Sequence, residues 1–252
     1  HSVPTLARGF AGKKLQGDPD RLVIQQDLAT LRKFRVISPI PAGDDSESRL
    51  IAQFAKACFD EIGKGNESVG RADKLLEGLA NSWSQGWRKL AEFRRRSGAD
   101  REAIGYALRR AVEEEPFSKD AWLERAQFAL ESGDDGVRIA SLVSAVDADP
   151  RDVELVNEVA FRLCRYVNSH IAEIPKARRG VYVASVRSHM QRIAHKLDAT
   201  GLSRLAWLFL LEENVTKARE YANKGCTIDP TNGHCLKILE RLDEQPGGAF
   251  ED

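Results

Sequence analysis

The chain has no surplus of either charge. Lys and Arg total 38 and Asp and Glu total 38, so its 252 residues sum to zero formal charge. Global electrostatics therefore marks neither a polyanion binder nor an acidic tail. No run of 18 apolar residues offers a membrane span, and the first residues lack the order of a signal peptide. Cysteine is scarce: Cys58, Cys164, Cys226 and Cys235, with no CxxC pair. That usage reads as buried thiols in a reducing, cytoplasmic setting rather than as a disulfide framework. Cys226 and Cys235 fall on successive helices, which leaves a disulfide between those two open.

Catalytic and metal motifs are also missing. His170, His189, His195 and His234 lack the i, i+4 spacing that puts two ligands on one helical face, and there is no HExxH. Gly63-Lys64-Gly65-Asn66 lacks the spacing of a phosphate loop, and Asp134-Asp135-Gly136 reads as an inter-helix turn. No nucleophile has an identifiable base nearby. The expectation is a chain that is not an enzyme and carries no metal and no cofactor.

What is present is a period. Pro116 and Pro150 stand 34 residues apart, and Pro230 closes a similar stretch. Trp122 precedes Pro150 by 28 residues and is followed by Arg125-Ala126. Leu202 precedes Pro230 by 28 and is followed by Leu205-Ala206, while Trp87 precedes Pro116 by 29 and is followed by Leu90-Ala91. Five residues before each proline sits a small residue: Ala111, Ala145 and Gly225. Large anchors with small residues at fixed offsets are what closely packed helix pairs need.

This frame resembles the tetratricopeptide repeat (TPR) family over residues 84–242. The resemblance implies an all-α, right-handed superhelix of antiparallel helix pairs whose concave groove binds other proteins. In-phase repeats fall at 84–117 and 118–151. A third begins with Val156 as anchor and Val159-Ala160 as its large-small pair, and the last spans 199–232. From Pro150 to Pro230 the chain carries twelve residues more than two repeats. The excess is expected around Asn168–Arg179, as an exposed basic connection, and in a long helix over Gly180–Asp198.

Outside these repeats the reading is less regular. Helical spacing over Glu47–Ile62 and Ser68–Ser82 predicts a divergent first pair, and Gly233–Leu242 a capping helix. The repeat domain thus covers 45–242, with residues 243–252 a disordered tail. Residues 1–44 form an irregular segment with an amphipathic helix (Ile24, Leu28 and Leu31 on one face) and a short strand at Phe34–Ile37. That order fits an ordinary cap, with the end of a small winged-helix module as the alternative. The start at His1-Ser2 without Met is expected of a piece of a longer polypeptide.

In the TPR family the residues one, five and eight after the anchor line the groove. By resemblance these are Arg88, Glu92 and Arg95, then Leu123, Gln127 and Leu130, then Asn157, Phe161 and Cys164, then Ser203, Trp207 and Leu210. The groove so read runs from basic through amide-bearing to apolar, and matches a peptide or helix with an acidic and an apolar end. Alternatively, Phe161, Trp207 and Leu210 pack against the insert helix and fill the groove from within. The Lys/Asn clamp of chaperone-binding members is not matched at Leu123, Gln127, Asn157 and Phe161. The leading expectation is a protein-interaction scaffold. One alternative is the sensor arm of a larger signalling NTPase. Another is nucleic-acid binding through Arg88, Lys89 and Arg94-Arg95-Arg96, with a second basic cluster at Lys13, Lys14, Arg21, Arg32, Lys33 and Arg35. The Arg94–Arg96 run equally suits the solvated end of a helix.

Overall fold

Helix starts recur with the same period as the prolines. Asp100 and Asp134, Ser118 and Asp152, and Asp198 and Asn232 are three pairs, each separated by 34 residues. In each pair both side chains accept a hydrogen bond from the backbone N–H three residues on. Such caps satisfy donors that the first helical turn leaves open. The ends are equally regular. Glu115, Asp149 and Asp229, each just before a repeat proline, donate their N–H to the carbonyls of Ala111, Ala145 and Gly225. The ring of a following proline disfavours the helical region for the residue before it, so the helix stops there.

The computed structural model describes residues 46–81 and 85–244. These residues are all-α, without a strand, and pack as successive antiparallel helix pairs: an all-α helical repeat. The expected strand at Phe34–Ile37, the winged-helix reading, the basic cluster from Lys13 to Arg35 and the tail from Gln245 lie outside the described residues.

The chain divides into two compact units, through Pro116 and from Phe117. The first contains α1 (Ser46–Phe59), α2 (Asn66–Ala80), α3 (Gly86–Ser97) and α4 (Arg101–Glu114). Each of α2 and α1 begins and ends within about three residues of the range its periodicity predicts. Trp87, Leu90 and Ala91 are buried, as the repeat frame requires. Gly86 is needed for close approach, since a Cβ there would stand 2.5 Å from the Ala80 backbone.

Arg94 corrects the reading of Arg94–Arg96 as one cationic patch or one solvated helix end. It is 6% exposed and binds Asp73 through Nε at 2.8 Å and Nη2 at 2.9 Å. It also reaches Glu77 of α2 and the Ala103 carbonyl of α4. This guanidinium ties three helices together. Arg96 instead pairs with Glu92 and lies over Phe59.

The second unit contains α5 (Lys119–Glu131), α6 (Asp135–Ala148), α7 (Val153–Ser169), α8 (Lys176–Arg192), a 3-10 turn at Ala194–Lys196, α9 (Ala199–Leu211), α10 (Val215–Ile228) and α11 (Gly233–Glu244). Its core centres on Val156, Val159, Ala160, Val186, Met190, Leu205, Ala206 and Ala222. The insert differs from expectation. α7 continues through Ser169, and α8 starts at Lys176 and stops at Arg192, four and six residues before the expected limits. Pro175, at φ −54°, sets the start, because its fixed backbone suits a helix entrance. Lys176, Arg178 and Arg179 therefore occupy the first turn of a helix rather than a loose connection. Buried Val183, Val186 and Met190 hold α8 against α6, α7 and α9, where it acts as the second helix of the irregular pair.

All four cysteines are free in this structure. Cys235 is fully buried in the space left by Gly225, whose Cβ would stand 2.3 Å from its Sγ.

Candidate functional site

In the second unit the odd-numbered helices α7, α9 and α11 lie side by side, α9 touching both others. Each turns the same stripe toward a common cavity of about 420 Å³. From α7 come Phe161, Cys164, Arg165 and Asn168; from α9 come Thr200, Ser203, Arg204 and Trp207; from α11 come His234, Lys237, Ile238 and Arg241. Every set follows i, i+3, i+4, i+7, the spacing that puts residues on one helical face.

The side chains are held in place by one another. Arg204 donates to the Asn157 Oδ1 at 2.7 Å and stacks 5.0 Å from the centre of the Phe161 ring. Arg165 approaches the same ring at 5.6 Å, and Arg241 lies 5.3 Å from the Trp207 ring. These are cation–π distances. Ser203 is buried and donates to the Thr200 carbonyl, so its hydroxyl serves the helix backbone. The Trp207 Nε1 is buried without a hydrogen-bond partner among the described residues. Burial pushes the Cys164 thiol up to about 12, against a smaller opposing effect of Arg204, so it stays protonated and weakly nucleophilic. Among the described residues no group of three His, Cys, Asp or Glu side chains is arranged to hold a metal.

A second cavity of about 660 Å³ adjoins on the other side of Trp207, walled by Lys176, Arg179, Gly180 and Val183 of α8. No residue between Ser169 and Ala199 lines the first cavity. The insert therefore borders the site without filling it.

The expected groove residues are distributed unevenly. Phe161, Cys164, Ser203 and Trp207 come together at this cavity, and Asn157 holds Arg204 from outside its lining. Leu210 is absent from this cavity; it is 1% exposed, packs in the core and contributes to the wall of the second cavity. Gln127 and Leu130 are exposed on α5, with Gln127 bonded to Glu131, and Leu123 packs against the core. Arg88, Glu92 and Arg95 belong to α3 in the first unit, where Glu92 is engaged by Lys89 and Arg96.

The C-terminal stretch adds cationic side chains to the apolar groove end expected there. Arg165, Arg204, Lys237 and Arg241 make the cavity cationic, and no Asp or Glu lines it. A frame counted at one, five and eight residues after each anchor passes over these positions. The signal that finds them is the full i, i+3, i+4, i+7 stripe on each helix.

No family model matches this sequence, and no curated protein matches it. Among solved structures thirteen chains match. One is the crystal structure of the P58(IPK) TPR domain, at 12% identity and a TM-score of 0.31, covering 93% of this chain and 68% of that one. The array is TPR-like. That description rests on the 34-residue caps, the pre-proline stops and the helix pairing of the chain itself. Among the described residues, no helix is long and apolar enough to cross a membrane.

Proposed function

We propose that this chain is a protein-interaction module that captures a segment of a partner protein on the joint face of α7, α9 and α11. The observation that carries this reading is the shared stripe. Three helices from successive positions in the array present matching faces to one cavity that the protein's own insert leaves unfilled. A half-buried Trp with an unused N–H at its wall is an anchor of the type that dominates binding energy at interfaces.

Substitution on this face tests the proposal. Protein purified from the native host through the parent chain is compared with that recovered by Trp207→Ala, after circular dichroism has established equal helicity. Loss of a co-purifying protein with Trp207→Ala, and its retention with the exposed substitution Lys224→Ala on α10, is the expected outcome. Equal recovery by the parent and Trp207→Ala would remove the assignment. Arg95→Glu on α3 and Gln127→Ala on α5, assayed alongside, determine whether partner contact involves the other groove positions.

A further inference from the structure

The lining of the cavity of α7, α9 and α11 carries cations and no carboxylate. Elsewhere in the described residues, cations are commonly met by carboxylates: Arg94 by Asp73, Arg110 by Glu113 and Glu114, Lys119 by Asp149 and Asp152, Arg219 by Asp243. Arg165, Arg204 and Lys237 form no ion pair among the described residues, and they converge on one space without an acidic group in its lining. Arg165 and Arg204 even share the Phe161 ring, so two like charges are held near one side chain. An anion placed between them would offset that repulsion.

We propose that the segment captured here is an acidic one, with a carboxylate side chain bound by Arg165, Arg204 and Lys237 and a neighbouring apolar side chain against Trp207 and Ile238. This deepens the reading of the cavity as a partner-binding site and rests on it. Both guanidinium groups lie within cation–π distance of the Phe161 ring, and a guanidinium is a planar fork that can hold a carboxylate with two parallel hydrogen bonds. The neutral Asn157 carbonyl uses one donor of Arg204 without cancelling its charge. The Trp207 Nε1 is buried and finds no acceptor among the described residues, so the ring offers the ligand its apolar surface. A bare inorganic anion would leave Phe161, Trp207 and Ile238 facing water, whereas a peptide that pairs acid with apolar residues covers both components. A cavity of about 420 Å³ falls in the range that accommodates a few side chains.

The test uses the full chain and an end-blocked, fluorescein-labelled decapeptide of alternating glutamate and leucine, with a glutamine–leucine decapeptide as control. Fluorescence anisotropy is expected to show binding of the glutamate peptide that weakens as salt rises, with the glutamine peptide bound about tenfold or more weakly. Combining Arg165→Gln with Lys237→Gln, neither in an ion pair among the described residues, is expected to reduce glutamate-peptide affinity about tenfold while leaving the melting temperature unchanged. Arg165→Glu with Lys237→Glu is expected to transfer preference to a lysine–leucine decapeptide, which guards against a simple loss of folding. Equal binding of the glutamate and glutamine peptides overturns the acidic assignment. So does displacement of the labelled peptide by inorganic phosphate, at matched ionic strength, as effectively as by unlabelled peptide. If neither peptide binds but Trp207→Ala still abolishes capture of a native partner, the acidic assignment falls and the interaction module stands. If Trp207→Ala changes neither, the module reading itself falls.

Discussion

Gly225 illustrates how one atom can set a helix junction. It occupies the small-residue slot five positions before Pro230, where the other repeats have Ala111 and Ala145. Alanine does not fit there, because Cys235 of α11 already fills the space a Cβ would take. We expect Gly225→Ala to destabilise the second unit by about 1–3 kcal/mol, the usual range for overpacking a close-packed site. Adding Cys235→Ala removes the clashing sulfur, so thermal unfolding of the double variant should recover much of that loss. A double variant no more stable than Gly225→Ala would place the cost in the backbone instead. Glu213 shows the opposite compromise at this scale. Its φ of 62° is the left-handed conformation that Gly133 adopts at 72° in the corresponding turn between α5 and α6. Glutamate meets the turn geometry there at a steric cost that glycine avoids.

Between one helix and the next, acidic residues link caps to ion pairs. Asp152 caps α7 through the Leu155 N–H and also accepts from Lys119 at the start of α5. The Leu155 bond, then Lys119, hold its carboxyl below the usual 3.8, and Lys119 itself is raised, first by Asp149 and then by Asp152. Glu220 is held down at about 2 by Lys217 and Lys224 on the same helix. A carboxyl with a lowered folded pKa contributes stability that is present above its unfolded pKa and lost as pH falls through the folded value. The melting temperature of the second unit should therefore be sustained down to about pH 4.5 and decline from there toward pH 2. Asp152→Asn keeps a capping acceptor but no longer titrates, so its melting temperature should start lower at neutral pH and fall less over that interval. A parallel decline of both proteins, measured by circular dichroism, would contradict this assignment.

At the same scale, the sequence shows most of the helices because their marks are local and periodic. Trp87, Val156 and Leu202 are buried where the anchor frame places them, and the residues before the prolines end their helices as expected. The entry to α8 was harder to place, since Pro175 with a basic run after it reads as a connection when only composition is considered. Arg94 could not be assigned from its neighbours. Its partners Asp73 and Glu77 lie 21 and 17 residues earlier, and adjacency to Arg95 and Arg96 says nothing about which guanidinium turns inward. A third of the cavity lining is visible in the repeat frame, through Phe161, Cys164, Ser203 and Trp207. Its charge is not, because Arg165 and Arg204 each sit one residue past a frame position, and Lys237 and Arg241 come from a helix that the frame treats only as a cap.

For the molecule as a whole, zero net charge conceals an uneven distribution, and a regular repeat conceals a divided chain. The two compact units meet in sequence at Pro116 and Phe117, between two in-phase repeats. In a repeat protein each helix pair depends mainly on its neighbours, so a defect need not be felt everywhere. Ala145 is fully buried between helices, and Ala145→Leu should destabilise by about 1–3 kcal/mol through overpacking. Native-state hydrogen exchange should show the lost protection in α5 to α9, with protection in α1 and α2 maintained. Uniform loss from α1 to α11 would mean that the chain opens as one cooperative body, and no loss at all would undermine the repeat frame.

The caps separated by 34 residues also bear on how this chain can change length. Ser118 and Asp152 perform the same bond at the entrances of α5 and α7. Excising residues 119–152 would bring Ser118 directly before Val153, with a competent cap already in place. An addition of the same size would likewise meet a matching joint at each end. Length is thus available in whole modules, while an insertion of a few residues, such as the one preceding α8, must create a new entrance for itself.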